Sequence, residues 1–383
     1  MHRAVAAMRL TQGVGRRRAT REATRLAVVA DVRPHRFARY AHPSAAVVAP
    51  PYDVISPAER EAYLARDPHN VVQLTLDPSE EAAGERFRRW LADGVLVRDA
   101  EPAAWVVQQD YVGPDGVART RGGIVASLQA EPYATGTVLP HERTHAGPKE
   151  SRLRLLRAAR AQLEPIFLLY DGDPPLAPPS REPELAAEGT RLWRVDGNEL
   201  PASFVDRQLL IADGHHRYET AVAYAEETGT PEAARMMVVL VSTSDPGLEI
   251  FPTHRVFSGR ADVELEGEEL PSVEAALGRL RDEPYDAAAA VLYRRGFPRL
   301  VHGAAGELDV ELVDRFGHEG IGYTPDVQEA VGAVDRGDAD CAFLLRATRI
   351  EDVFERARRG EVMPQKTTYF FPKLTSGLLF HPV

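Results

Sequence analysis

Residues 209–241 constrain the fold more than any other stretch. Leu209–Ala212 is a short apolar run suited to a buried strand, and Asp213-Gly214-His215-His216-Arg217 is a polar turn around a glycine. Tyr218, Ala221, Val222 and Ala225 then fall at i, i+3, i+4 and i+7, which predicts a helix from Tyr218 to Glu227 with one face packed on a sheet. Gly229 stops that helix, and Met236–Val241 is a second apolar strand. Strand, turn, helix and strand read as a β-α-β unit, for which a right-handed crossover between parallel strands is the rule. The class expected is α/β, in a mixed α+β form, rather than a helical bundle.

The remainder of the chain supports that class. Pro50-Pro51 forces an extended path, and Ser56 with Glu59 has capping-box spacing ahead of a helix that Asp67-Pro68 ends. Val71–Leu76 alternates as a strand, and residues 80–93 place Phe87, Trp90 and Leu91 on one helical face. Trp105–Val112 and Val117–Leu128 read as strands joined by a turn at Pro114-Asp115-Gly116. From Lys149 to Gln162 the spacing of Leu153, Leu156 and Ala159 is helical, and Pro165 precedes a strand at Ile166–Tyr170. Residues 171–183 form a proline-rich connector, either a boundary or a surface excursion. Short strands are expected within 285–312 and at Cys341–Leu345. A helix face follows on Ile350, Val353, Phe354 and Ala357, with Gly360 as its stop. The division expected is a basic leader at 1–32 and a domain at 33–383, with a split into 33–172 and 184–383 as the alternative.

Composition narrows the function classes. The 383 residues, 44% hydrophobic and 27% charged, are enough for a sizeable core, and no uncharged apolar stretch reaches the ~18 residues of a membrane helix. The single cysteine, Cys341, lies in an apolar run and excludes a disulfide framework. With no secretion signal in view, the cytoplasm is the expected location. The net charge is −11, yet residues 1–26 hold seven Arg and one Glu, a net +6 that leaves −17 for the rest. Such a body repels polyanions, which argues against nucleic acid as a partner; the leader reads as a frayed tail or an upstream-start artefact before it reads as a nucleic-acid arm. Of 46 cationic residues only three are lysine, Lys149, Lys366 and Lys373. Where arginine has replaced nearly every lysine, the survivors point to places that need a compact ammonium.

Four segments carry chemistry. The Asp213 turn combines a glycine for close backbone approach, the free N–H groups of a helix start, and charged side chains. There Gly214, His215 and Arg217 are candidate phosphate ligands, and Asp213 and His216 candidate catalytic groups; the plainer alternative makes Asp213 a helix cap and the histidines surface residues. His141-Glu142-Arg143-Thr144-His145, followed by Lys149, has the order and composition that invite zinc, but it lies between Pro140 and Gly147-Pro148 and not securely on the helix that the HExxH pattern requires, and the cluster reads instead as a polar site loop supplying Glu142, Arg143 and Lys149, or as solvated loop. Thr253-His254-Arg255 contributes His254 and Arg255 as further candidates. The terminal stretch from Met363 to Lys373 alternates polar and aromatic residues; it is expected to dock, with Lys366 and Lys373 as anion contacts or with its aromatics simply packed.

Together these segments resemble the domain-of-unknown-function 1015 family. The resemblance runs from about residue 33 to Val383 and rests on PPYDVIS at Pro50–Ser56, HNVVQLTL at His69–Leu76, HERT at His141–Thr144, KESRL at Lys149–Leu153, ADGHHRYETA at Ala212–Ala221, PTHR at Pro252–Arg255 and MPQKTTYFFPKLTSGLL at Met363–Leu379. The family name assigns no activity. The DGHHR turn is also similar to the phosphate-binding signature of the ParB and sulfiredoxin superfamily, above all its free-serine-kinase branch. That resemblance implies a ParB/sulfiredoxin-like nucleotide-binding core with large N- and C-terminal elaborations, in which Asp213, His215, His216 and Arg217 form the nucleotide-phosphate site. It further implies ATP or ADP as cofactor and Mg²⁺, with Asp213 as the metal ligand.

The activity expected is a nucleotide-dependent, serine-kinase-like phosphotransferase acting on a small hydroxylated metabolite. Glu142 is the acceptor-side carboxylate on chemical grounds, since phosphoryl transfer to a hydroxyl needs a base beside it. The alternative is a non-catalytic nucleotide-binding or regulatory protein. No P-loop or G-x-G-x-x-G is present, and a ParB-like DNA-binding regulator would need a basic helix-turn-helix that is not found outside the leader. A homo-oligomer is compatible with all of these readings.

Overall fold

A computed structural model describes residues 30–142 and 146–383. The basic leader and Arg143, Thr144 and His145 lie outside the described residues. Two sheets organise the rest. In chain order the first contains β1 (Ala104–Val112), β2 (Ala118–Gln129), β3 (Val138–Leu139), β4 (Ile166–Tyr170), β5 (Leu185–Ala187), β6 (Thr190–Val195), β7 (Leu209–Asp213) and β8 (Arg235–Ser242). They lie in the order β3-β7-β4-β8-β2-β1-β6-β5, with Val32–Arg33 attached to β2. The helices that matter below are α1 (Glu80–Ala92), α2 (Ala146–Ala159), α3 (His215–Thr228), α4 (Val273–Asp282) and α5 (Val327–Arg336). The fold is mixed α/β, as expected. Among the described residues no helix is long and apolar enough to cross a membrane.

Both faces of the first sheet are covered, and β8 shows why its sequence is apolar throughout. Met237, Val239 and Val241 join Phe87 and Trp90 of α1 in one core cluster, while Met236, Val238 and Leu240 join Tyr218 and Ala221 of α3 in the other. A strand buried on both sides shows no polar alternation. The connector at 171–183 links β4 to β5 and β6, so its two sides contribute strands to the same sheet.

The crossover expectation needs correction. β7 and β8 are not a parallel pair: β4 lies between them, antiparallel to β7 and parallel to β8, so β7 and β8 run in opposite directions. The local pattern of strand, helix and strand was right, but the strand inserted between the two comes from some forty residues upstream and sets their directions. Two other expectations change. Val71–Leu76 is not a strand but holds a short helix, Val72–Thr75. Buried Asn70 starts it, accepting from the Val72 N–H at 3.0 Å and donating to the Ala46 and Val48 carbonyls. Val71, Val72, Leu74 and Thr75 are all buried, and a short buried apolar run has no periodicity that separates helix from strand. The helix expected to reach Gln162 ends at Ala159; Arg160 turns the chain with φ +50°, and Ala161–Gln162 pairs with the C-terminal strand His381–Pro382.

The second sheet is antiparallel and contains β9 (His254–Phe257), β10 (Glu268–Glu269), β11 (Ala287–Arg294), β12 (Phe297–Ala305), β13 (Ile321–Thr324) and β14 (Cys341–Leu344), ordered β10-β12-β11-β14-β9-β13. α4 and α5 cover one face through Ala276, Leu280, Ala330 and Val334. Cys341 is a core residue of the other face, its thiol pushed up to about 11 by burial. The chain then returns to the first unit: Tyr369–Phe371 pairs with Glu249–Phe251, Ser376 bridges to Ala49 and Phe380 to Ala38. The C-terminal segment is docked along its length.

Candidate functional site

The site forms where β7 ends. A bulge between Ile211 and Asp213 shifts the pairing with β4, which re-aims the Asp213 side chain at the strand terminus. Gly214 follows with φ +98° and ψ +30°, a left-handed conformation open to glycine, and α3 begins at His215. Gly214 stands at the N-cap and has no side chain to cap α3, and the Tyr218 N–H bonds to the Gly214 carbonyl at 2.9 Å. The first-turn N–H groups lie at the positive end of a 14-residue helix. Asp213 is thus the last strand residue and not a helix cap.

The carboxylate of Asp213 is held at both oxygens, by Nζ of Lys373 on one and Nη2 of Arg217 on the other. All three side chains are largely buried. Burial alone would raise the Asp213 carboxyl, but the Lys373 ammonium and the Arg217 guanidinium outweigh it and hold the acid well below the usual carboxylate range. Burial also pulls Lys373 down, and Asp213 more than offsets it, so the ammonium is held above its ordinary value. The first sheet fixes Lys373 in place. Arg121 of β2 lies over the Phe167 ring at 4.6 Å and donates to the Pro372 carbonyl at 2.7 Å, while Gln109 of β1 donates to the Lys373 carbonyl at 3.0 Å. Arg217 also donates to the Pro165 carbonyl, so its guanidinium serves the triad rather than presenting an open fork.

His141 and Glu142 meet this turn from β3. The His141 N–H donates to Nε2 of His215 at 3.3 Å, and the two rings stand edge to face at 4.7 Å. Nε2 of His141 pairs with Oγ1 of Thr368 at 2.9 Å. Burial pushes His141 down to about 4 and His215 well below its ordinary value, so both are neutral at neutral pH. Glu142, one residue on, bridges to Met363 and accepts from the Lys366 backbone N–H. Its carboxyl is raised by burial, an effect opposed by Lys366 and Lys373 and reinforced by Asp213. Arg255 buttresses the Lys366 turn, donating to the Gln365 and Lys366 carbonyls at 3.1 and 3.0 Å. Burial lowers this guanidinium to about 10.

Asp213, Gly214, His215, Arg217, Glu142 and Lys373 therefore converge, with Lys366 and Arg255 beside Glu142. His216 lies half-buried in the first turn of α3. Lys149, at the start of α2, is ion-paired with Glu219 of α3 at 2.5 Å, so each of the three lysines ends beside this region. His254 does not join them: it alternates with Arg255 along β9 and its Nδ1 accepts from the Leu345 N–H at 3.1 Å, on the opposite side. Arg143 lies outside the described residues.

Sequence reasoning missed a second carboxylate. Glu164 is buried, accepting from the Tyr52 N–H at 3.0 Å and from the Ser376 hydroxyl at 2.9 Å. Burial raises it, against the pull of Arg217 and Arg152. Arg152 lies over the Tyr52 ring at 4.3 Å, and Arg152, Glu164 and Arg217 line a cavity of about 50 Å³. Asp53 adds its charge to the field at Lys373 and Arg217. The one available signal was the Pro50–Ser56 segment, whose Tyr52 and Asp53 had been given no role. A protein-held magnesium does not fit: both oxygens of Asp213 are engaged, and among the described residues no group of three or more His, Cys, Asp or Glu is placed to hold a metal.

Comparison with known proteins gives one family and a few distant folds. The model of a family described as a protein of unknown function, DUF1015, matches residues 32–296. No curated protein matches the chain. Among solved structures, a free serine kinase in complex with AMP is 19% identical with a TM-score of 0.38, covering 63% of this chain and 89% of that one. A conserved hypothetical protein from Pyrococcus furiosus is 20% identical with a TM-score of 0.35, covering 61% and 87%. SbnI from Staphylococcus aureus, truncated at its C-terminus, is 11% identical with a TM-score of 0.37, covering 65% and 84%. At these identities and TM-scores the likeness carries no argument about this chain.

Proposed function

The chain belongs to the DUF1015 family, and from the site geometry we propose that it is a nucleotide-dependent phosphotransferase acting on a small hydroxylated metabolite. The observation that carries the proposal is the meeting of a glycine-led helix start with a raised carboxylate. The N–H groups at the start of α3 offer donors to a phosphate, and Glu142 is brought beside them through the contact between His141 and His215. The nucleotide, ATP or ADP, would set its terminal phosphates against the first turn of α3, with the Lys366 and Lys373 ammoniums adding positive potential.

In the transfer step the acceptor hydroxyl oxygen bonds to the terminal phosphorus as the bond from phosphorus to the bridging oxygen breaks. The hydroxyl proton passes to Glu142, and the nucleotide leaves with the electron pair on its former bridging oxygen. Burial raises Glu142, which strengthens it as a base, and Lys366 and Lys373 pull against that rise. Asp213 has a different part. Tied to Lys373 and Arg217, it holds the turn and its cations in register and takes no proton.

The test is product formation. Wild-type protein with ATP or ADP, magnesium chloride and a panel of hydroxy amino acids is expected to release the complementary nucleotide with at least one acceptor. Glu142→Gln is expected to lower kcat by about 10²- to 10⁴-fold with nucleotide affinity retained. Protein that binds nucleotide yet turns over no acceptor would instead be a non-catalytic nucleotide-binding protein, and the phosphotransferase proposal would be wrong.

A further inference from the structure

A much larger cavity, about 490 Å³, lies on the side of β9 away from Glu142. It opens between the tip of the β1–β2 hairpin, at Pro114 and Asp115, and the helices α4 and α5 of the second sheet. Phe251, Leu280 and Leu345 are buried in its floor, Leu277 forms part of a wall, and Arg281 stands exposed at its mouth. Its size lies within the ~300–1,000 Å³ typical of small-molecule sites, which favour junctions between structural units.

The telling group in this cavity is His254. The ring is 1% exposed and lines the cavity, and because Nδ1 accepts the Leu345 N–H, the neutral imidazole carries its proton on Nε2. Among the described residues that Nε2 has no hydrogen-bond partner. A buried polar group without a partner is costly and is rarely retained without a use. Burial, with Arg255 adding to it and Asp326 opposing, pushes His254 down to about 4, so the donor is uncharged at neutral pH.

Most of the charged groups of the cavity are already committed. Arg346 is held by Asp309 and by the Glu283, Pro284 and Ala287 carbonyls, Asp326 caps α5 through the Gln328 N–H, and Asp115 pairs with Arg119. Arg281 makes no ion pair among the described residues, but it is exposed, and an exposed charge adds little attraction to a ligand. A carboxylate placed deep in this apolar cleft would exchange its hydration for one neutral donor, a poor trade, whereas an uncharged acceptor there would be satisfied by one bond. We propose that this cleft is a second ligand site, for an uncharged, largely apolar small molecule whose carbonyl or ring-nitrogen acceptor takes the Nε2–H of His254. The site is separate from the Asp213 turn and does not depend on the phosphotransferase proposal.

The test uses the full chain labelled with ¹⁵N-histidine and three probes: benzamide, benzoate and toluene. Benzamide is expected to bind saturably, to shift the His254 Nε2 resonance, and to bind at least tenfold more tightly than benzoate or toluene. His254→Asn keeps an acceptor for the Leu345 N–H but, being shorter, leaves no donor at the place of Nε2, and should weaken benzamide at least fivefold. Leu277→Trp fills the cleft from its wall and should abolish binding without touching His254. No saturation by benzamide at its solubility limit would overturn the proposal. So would benzoate or toluene binding as tightly as benzamide, or benzamide affinity unchanged in both variants.

Discussion

Replacing Lys373 with methionine removes one of the two cations on Asp213 while keeping most of the apolar stem. The Lys373, Asp213 and Arg217 side chains are 21%, 13% and 10% exposed, so the modest value of a surface pair does not apply. Removing one partner of a buried pair costs about 3–5 kcal/mol because it strands the other charge. Arg217 stays on the second oxygen, which places Lys373→Met near the lower end, about 3 kcal/mol. Asp213→Asn should be similarly costly, since it strands two cations. The double variant should recover part of the loss, with a coupling of about 1.5 kcal/mol or more. Urea unfolding followed by fluorescence and by far-UV circular dichroism measures this, because Trp90, Trp105 and Trp193 are all buried. The pH dependence is a second readout. Asp213 is held below its ordinary value, so the stability it contributes is present above the unfolded carboxylate value and is lost as the pH falls below it. In Lys373→Met the folded value rises toward the unfolded one, so that loss should be smaller and should end at a higher pH. A Lys373→Met variant within about 0.5 kcal/mol of wild type, or strictly additive single variants, would refute the triad argument.

Two further predictions concern the whole fold. His35, His141 and His254 are pushed down to about 4, chiefly by burial, and His381 well below its ordinary value, so each is neutral when folded and takes a proton near pH 6.5 when unfolded. Their stabilisation is complete above about pH 6.5 and is lost as the pH falls from there toward 4; Glu142 and Glu164, raised by burial, act with the opposite sign at the lower end of that window. The urea midpoint should therefore fall from pH 7 to pH 5, and less steeply in His35→Gln, which removes one ring of the stacked His35–His381 pair; equal midpoints at the two pH values would count against it. Gly84 lets α1 approach α2, and a Cβ there would lie 2.4 Å from the Ala158 carbonyl carbon and oxygen. Gly84→Ala should destabilise by about 1–3 kcal/mol in spite of alanine's better helix propensity, and a raised Tm would show that the two helices can part without cost.

Local chemistry was legible in the sequence and long-range geometry was not. The capping box formed as read, with Ser56 Oγ accepting from the Glu59 N–H at 3.3 Å and the Glu59 carboxylate from the Ser56 N–H at 2.8 Å. The β1–β2 hairpin and the helix face of Val353, Phe354 and Ala357 likewise depend only on near neighbours. The direction of β8 relative to β7 depends on β4, and no property of residues 209–241 encodes that insertion. Glu164 stayed hidden for the same reason: its partners Tyr52 and Ser376 are 112 and 212 residues away, and a lone Glu before a proline carries no pattern. The pairing of Lys373 with Asp213 spans 160 residues, yet the scarcity of lysine had already singled Lys373 out. Reading His254 and Arg255 as one pair overlooked strand alternation, which sends neighbours to opposite faces.

The most direct test of a phosphate site at the start of α3 is a calorimetric titration of ADP and ATP into wild-type protein and Gly214→Ala. Gly214 has φ +98°, and a Cβ would lie 3.1–3.2 Å from the Arg217 guanidinium, so the methyl group strains the turn and crowds the place where a phosphate would approach. The substitution changes no charge. At a temperature where the variant remains folded, wild type is expected to bind nucleotide saturably and Gly214→Ala at least tenfold more weakly, a loss of about 1.4 kcal/mol. Nucleotide binding of equal affinity in the two proteins, or none by wild type at millimolar concentration, would place the phosphate elsewhere and contradict the account.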